Sequence, residues 1–154
     1  MEWRVRRHTV RAMDVDIRRL GPGDEPAVLA AGDLFDELPE IEATRRFLGE
    51  SNHHLLLAYD ASGTPVGFVS GVETTHPDKG TEMFLYELGV AEPARRSGVG
   101  RALVEALALL ARKRGCYGMW TATESVNAAA LATYRSAGGQ PSGGTVILDW
   151  RIEA

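Results

Sequence analysis

Hydrophobic and polar positions change their spacing along the chain, and the changes predict the elements. Residues 15–20 alternate and read as a first strand. Gly21-Pro22-Gly23-Asp24 is a turn, with Asp24 placed to cap a helix and Pro26 in its first turn, where a missing N–H costs little. That helix is expected to reach about Phe35. Leu38-Pro39 then breaks it, because proline disfavours helix in the residue before it, and residues 40–48 restart as a short helix. Residues 54–59 and 66–73 read as two strands, with Asp60-Ala61-Ser62-Gly63 marking a hairpin between them. The loop His76-Pro77-Asp78-Lys79-Gly80 leads to an apolar strand at 83–90. From 98 to 114, Val99, Leu103, Leu107 and Leu110 form one stripe, which is a helix stopped by Gly115. A strand at 117–124, a helix at 127–137 and a last strand at 145–151 complete the order β-α-α-β-β-β-α-β-α-β.

With 154 residues the chain has the size of one domain around one core, expected over 15–154. Its 44% hydrophobic and 25% charged content is ordinary for a globular protein. No apolar run approaches the length of a membrane span. Residues 1–14 carry Arg4, Arg6, Arg7 and Arg11 without a long apolar stretch. They are expected to be a disordered extension, or to precede a start at Met13, rather than a secretory signal. Cys116 is the only cysteine, which fits a reducing cytoplasm and reads as a buried hydrophobe rather than a nucleophile.

The net charge of −4 is unevenly spread. Asp24, Glu25, Asp33, Asp36, Glu37, Glu40, Glu42 and Glu50 crowd residues 24–50, against Arg45 and Arg46. Arg95, Arg96, Arg101, Arg112, Lys113 and Arg114 crowd residues 95–114, against Glu105. The first segment suits a cation and the second an anion; solvated helix faces account for some of these charges. The acidic balance and the lack of aromatics among the bases argue against a nucleic-acid partner. The histidines make no metal set: His53 and His54 point to opposite faces of one strand, and His8 and His76 are isolated.

The strongest chemical signal is a strand followed by Arg95-Arg96-Ser97-Gly98-Val99-Gly100-Arg101 and a helix. The first N–H groups of a helix lack intrahelical partners, its dipole favours negative charge there, and glycine allows close approach. A diphosphate suits such a site. A dinucleotide fingerprint would need a third glycine where Leu103 stands, and a second βαβ unit is missing. A P-loop would need Gly-Lys-Ser/Thr, which is absent.

The words R-x-x-G-x-G at 95–100 resemble the acyl-CoA pyrophosphate loop of the GNAT N-acetyltransferases. Asn127 to Gly139 resembles that family's N-x-x-A-x-x-x-Y-x-x-x-G-F segment, with Asn127, Ala130 and Tyr134 in register and Gly139 where phenylalanine is usual. The element order agrees. The resemblance implies an α/β (α+β) GNAT fold: a mixed, mostly antiparallel sheet, helices on both faces and a V-shaped splay between two central parallel strands. It implies acetyl-CoA as cofactor, with the pyrophosphate on Arg95, Arg96, Ser97, Gly98, Val99, Gly100 and Arg101. The backbone of Leu88, Gly89 and Val90 would pair with pantetheine, and Gly89 suits a bulge there. Leu88 N–H would be the oxyanion donor, Asn127 and Ala130 would meet the cofactor, and Tyr134 would protonate the leaving thiolate. A phenol near pKa ~10 and a thiol near ~8.5 are matched well enough for that transfer. Gly139 is expected to loosen core packing only.

An alkylammonium with pKa ~10.4 needs a base before it can attack. Glu87, on the cofactor strand, and Glu124, at the end of the next, are both candidates; either one could instead pair with an arginine. Phe84-Leu85-Tyr86-Glu87-Leu88-Gly89-Val90, and Arg18 to Asp24 followed by Gly32-Asp33-Leu34-Phe35, resemble the aminoglycoside 3-N-acetyltransferase (gentamicin acetyltransferase) branch. Glu124 and Asn127 fall where that branch has acidic residues. The implied substrate is the 3-amine of a 2-deoxystreptamine antibiotic, held by Asp33, Asp36, Glu37, Glu40, Glu87 and Glu124. The alternatives are a polyamine or protein amine as acceptor, or an acyl-CoA-binding module without catalysis. The late apolar strand at 146–150, with Trp120, offers a surface for a homodimer.

Overall fold

The computed structural model of the protein describes residues 13–152, so most of the expected N-terminal extension lies outside the described residues. The chain runs β1 (Asp16–Leu20), α1 (Glu25–Ala30), a 3₁₀ turn (Gly32–Leu34), α2 (Ile41–Gly49), β2 (His53–Tyr59), β3 (Pro65–His76) and β4 (Gly80–Val90). A second 3₁₀ turn (Glu92–Ala94), α3 (Val99–Lys113), β5 (Met119–Trp120) and α4 (Ala128–Ser136) follow. The strands form one 5-stranded sheet in the order β1-β2-β3-β4-β5. The first three neighbouring pairs are antiparallel, and β4–β5 is parallel.

Helices cover both faces. Strand β2 is buried on both sides: Leu56 and Ala58 join the core under α3, while Leu55 and Leu57 join the core under α1 and α2. The α3 stripe is as the spacing predicts, with Val99, Leu103, Leu107 and Leu110 all buried. Gly115 ends α3 in the left-handed conformation at φ 79°. Cys116 N–H bonds the Ala111 carbonyl and Gly115 N–H that of Arg112, which closes the helix end as a Schellman motif. At the far end of the sheet, Arg19 donates to His54 Nδ1 at 2.9 Å, so His54 Nε2–H must donate to Glu73 Oε1 at 2.6 Å. Arg114, past the end of α3, grips the same carboxylate at 2.5 Å. Burial pushes the His54 pKa down; burial works to raise that of Glu73, but the bonds from Arg114 and His54 outweigh it and hold it low.

Four sequence expectations are corrected. Asp24 precedes α1, but its side chain turns back to accept from Gly21 N–H at 2.8 Å and leaves the helix uncapped. The first helix stops at Ala30, and only a 3₁₀ turn continues it towards Phe35. The strand expected at 117–124 pairs over Met119–Trp120 alone. The strand expected at 145–151 does not form, and those residues are exposed. Strands β3 and β4, by contrast, extend past the apolar run. Threonines carry them, with Thr75 and Thr81 hydroxyls bonded across the hairpin at 2.9 Å. Among the described residues, no helix is long and apolar enough to cross a membrane.

Candidate active site

Strand β4 organises the site through one extra residue. Ser70 of β3 faces Glu87 and Gly71 faces Leu85, so Tyr86 is the bulge. Met83 and Leu85 point into the core under α3. Strict alternation would send Glu87 after them. The bulge changes the parity, so Tyr86 and Glu87 both line the opposite face, while Leu88 and Val90 return to the α3 side. Glu87 N–H donates to Ser70 Oγ at 3.1 Å, which fixes the irregular turn of the strand. The bulge is therefore at Tyr86 and not at Gly89. Gly89 pairs with Phe68, and a Cβ there would lie 2.5 Å from Phe68 Cε1 and 2.7 Å from the Leu34 carbonyl oxygen. Glycine at 89 serves the close approach of the 3₁₀ turn.

Beside β4 a slot opens. Strand β5 pairs only Met83 with Met119 and Phe84 with Trp120, and then the strands part. Thr121 Oγ1 donates to the Leu85 carbonyl at 2.9 Å where they separate. Ala91 N–H bonds the Val66 carbonyl on the β3 side at 2.9 Å. Alternation back from Ala91 turns the N–H groups of Leu88 and Val90 to the open slot and that of Gly89 to β3. Gly89 thus offers the slot no donor, contrary to the sequence expectation.

The slot runs to the head of α3. Gly98 caps that helix at φ 81°, no side chain caps its first N–H groups, and its first turn holds no acid. Arg95 and Arg96 are exposed there, Arg95 donating to the Val90 carbonyl at 3.2 Å. Ser97 donates to the Ala94 carbonyl, Val99 is anchored in the core, and Arg101 pairs with Glu105 at 2.7 Å. A Cβ on Gly100 would stand 3.1 Å from Thr133 Cγ2, so glycine lets α4 lie against this helix head. Uncapped N–H groups, a bare positive dipole end and flanking guanidiniums fit a diphosphate.

Tyr134 of α4 is half-buried against the α3-side core. Burial raises its pKa, and a hydrogen bond with Thr121 pulls it partly back. Thr121, bonded to the Leu85 carbonyl, places its hydroxyl near the phenol where β4 and β5 part. Asn127 Oδ1 accepts from Ala130 N–H at 3.0 Å and so caps α4. Gly138, left-handed at φ 97°, stops α4; the next N–H, of Gly139, bonds the Tyr134 carbonyl at 2.8 Å. A Cβ at Gly139 would lie 2.9 Å from that oxygen, so a side chain there would need the backbone to shift.

On the other face, a cavity of about 470 Å³ lies between β4 and the α1–α2 connection. Phe35, Phe47 and Tyr86 supply aromatic wall, and Asp36, Glu37, Glu40 and Glu87 supply acid. No lysine, arginine or histidine is among the described lining residues. Burial raises the pKa of Glu87, and the Asp36 carboxylate raises it further. Two expected members do not reach the cavity. Asp33 is exposed in the 3₁₀ turn, and Glu124 is exposed in the loop after β5, which stops too early to carry it there. Ser70 and Thr121 were not anticipated. Ser70 is signalled only as one polar residue within an apolar run, and Thr121 has no signal of its own.

The model of the acetyltransferase (GNAT) family matches residues 24–138. The chain belongs to that family. The acyl donor is acetyl-CoA, and the slot and the α3 head fit its diphosphate and its extended arm. The chain is similar to L-methionine sulfoximine/L-methionine sulfone acetyltransferase of Pseudomonas aeruginosa, at 28% identity over 143 residues, 85% of this chain and 83% of that protein. Its fold is similar to that of an aminoglycoside acetyltransferase from an uncultured soil metagenomic sample, solved with sisomicin. The TM-score is 0.82 at 20% identity, over 90% of this chain and 97% of that one. Aminoglycoside N-acetyltransferase AAC(6′)-Iy, solved with a bisubstrate analogue of CoA and acetylneamine, superposes with TM-score 0.76 at 18% identity, over 90% and 99% of the two chains. These structural likenesses describe the fold.

Proposed function

We propose that this acetyltransferase acetylates an amine of a polycationic amino sugar, an aminoglycoside, bound in the acidic cavity. The observation that carries the reading is the composition of that cavity: Asp36, Glu37, Glu40 and Glu87 with no base beside them. Several ammonium groups answer several carboxylates, and the aromatic wall suits the faces of sugar rings. An amino acid such as methionine sulfoximine brings its own carboxylate, which would meet four acids and no cation. The similarity of fold to aminoglycoside acetyltransferases supports the same choice.

Acetyl-CoA supplies an acetyl group activated as a thioester. The N–H groups at the head of α3, with Arg95, Arg96 and Arg101, hold its diphosphate. Leu88 and Val90 offer their N–H groups along the slot, and Leu88 N–H donates to the acyl oxygen as negative charge gathers there. Glu87 takes the proton from the substrate ammonium. Its raised pKa narrows the gap to an amine near ~10.4 and makes it a stronger base than an ordinary carboxylate. Tyr134 gives its phenolic proton to the departing sulfur. Asn127 shapes the start of α4 beneath it. We take Glu87 rather than Glu124 as the base, because Glu87 is part-buried in the cavity wall and Glu124 is exposed after β5.

For the acceptor we take the 3-amine of 2-deoxystreptamine, on the short words shared with that branch. A similar fold belongs to an aminoglycoside 6′-N-acetyltransferase of Acinetobacter baumannii, and the position of acetylation separates the two readings. The test is thiol release from acetyl-CoA with gentamicin, methionine sulfoximine, spermine and a peptide amine, followed by NMR of the product. Turnover on gentamicin with one acetyl at the 3-amine is expected. Acetylation at the 6′-amine would correct the position alone, and turnover confined to methionine sulfoximine would refute the substrate class.

A further inference from the structure

Strand β4 carries a row of side chains that the acetyl transfer leaves unused. Glu82, Phe84 and Tyr86 alternate along it, so they share the face on which Glu87 lines the cavity. Trp120 of β5 pairs with Phe84, and their ring centroids lie 4.4 Å apart. Phe84 meets Tyr86 edge to face at 5.7 Å. The rings form one continuous aromatic floor. It begins inside the cavity, because Tyr86 is part of the cavity wall, and runs outward to Trp120. The floor is open to solvent: Tyr86 is 65% and Trp120 50% exposed.

Glu82 closes the outer end. The Tyr117 hydroxyl donates to its Oε2 at 2.9 Å, and His76 Nε2 stands 3.4 Å from its Oε1. These contacts hold the carboxylate beside the floor and leave it reachable, with its side chain 23% exposed. The Tyr117 bond above all keeps its pKa low, so it carries its charge at neutral pH. An indole face and a carboxylate together suit an ammonium group, which the ring attracts from within about 6 Å of its centre. At ~3.3 Å per residue, Glu82 lies at most about 16 Å along β4 from Glu87. A single sugar ring whose amine meets Glu87 does not reach that far; a second ring linked to it does.

We infer that the Tyr86–Phe84–Trp120 floor, ended by Glu82, is a second subsite that seats a further ammonium-bearing ring of the same acceptor. This rests on the amino-sugar reading of the cavity and adds a requirement to it: the acceptor is recognised through at least two rings. Two observations select this occupant. Floor and cavity share Tyr86, so one ligand passes from one to the other without leaving the protein surface. The far end is acidic, as the cavity is, so both ends answer the same polycation. Trp120 and Glu82 are then specificity-determining residues that touch the acceptor well away from the reacting amine.

The test compares gentamicin with 2-deoxystreptamine, which carries the 3-amine and no further ring, in wild type, Glu82→Gln and Trp120→Leu. In wild type kcat/KM should be about 10²-fold higher for gentamicin. Each substitution should lower that ratio about 10-fold, through a higher KM for gentamicin. Binding is read separately by NMR on the complex with CoA and gentamicin, where nuclear Overhauser contacts should join the Trp120 indole to sugar protons. Circular dichroism checks the fold of each variant; Glu82→Gln keeps the side chain's shape and carries the test if Trp120→Leu does not fold. A ratio near one in wild type, or a ratio that the folded variants leave unaltered, would overturn the subsite while the amino-sugar reading stands. So would Trp120 contacts confined to the protein's own residues. A protein that neither binds nor acetylates gentamicin would overturn both.

Discussion

Glu87 owes its proposed role to two neighbours, and both make testable demands. Burial and the Asp36 charge raise its pKa, so the folded protein holds that proton more tightly than the unfolded chain does. Stability from this group is therefore full below the ordinary carboxylate range and is lost as pH rises through the raised value. Once ionised, the carboxylate costs the fold stability. Glu87→Gln should raise the thermal midpoint at pH 7 while lowering kcat by about 10²-fold or more, measured by calorimetry and thiol release on the same samples. A lowered midpoint would mean that Glu87 holds the fold together instead. In wild type, kcat/KM should fall as pH drops through the raised Glu87 value, and the variant should lose that limb. Tyr134→Phe keeps the packing of the ring and removes the proton. Its kcat should fall about 10²-fold with acetyl-CoA affinity unchanged; an unchanged kcat would leave the sulfur to be protonated by water.

At the scale of elements, the site depends on how β4 is irregular. Its single bulge at Tyr86 turns Glu87 outward, and no residue type announces it in the sequence. Gly89 draws attention because glycine marks bulges, but its duty is contact with Phe68 and the Leu34 carbonyl. Gly89→Ala should therefore destabilise by about 1–3 kcal/mol through overpacking, read from chemical denaturation; a neutral outcome would show that the 3₁₀ turn moves aside freely. The α3 helix was fully legible, because a repeated stripe of large apolar residues has one folding solution. The strand at 117–124 was legible only in part. Its composition is that of a strand, but pairing needs a neighbour, and β4 diverges after Phe84. That early parting is also why Glu124 falls outside the cavity. The stretch at 145–151 misled for the same reason, since strand propensity describes a residue's fitness for a sheet and supplies no partner.

For the molecule as a whole, the Arg19–His54–Glu73–Arg114 cluster ties β1, β2, β3 and the end of α3 together at the far end of the sheet. His54 is fully buried and its pKa is lowered, so the unfolded chain binds its proton first. Stability should therefore fall as pH drops below about 6.5, and His54→Gln should flatten that part of the thermal midpoint curve. An unaltered curve would place the sensitivity elsewhere. The two faces of the sheet divide the proposed labour: the slot and the α3 head take the cofactor, and the acidic cavity takes the amine. The division rests on charge, because basic residues gather at one and carboxylates at the other.

The most direct measurement is the ratio of kcat/KM for gentamicin to that for methionine sulfoximine, in wild type and in Asp36→Asn with Glu40→Gln. The acid-walled cavity predicts a ratio of about 10² or more in wild type, collapsing in the variant mainly through a higher KM for gentamicin. A ratio below one, or a ratio untouched by neutralising both acids, would contradict it.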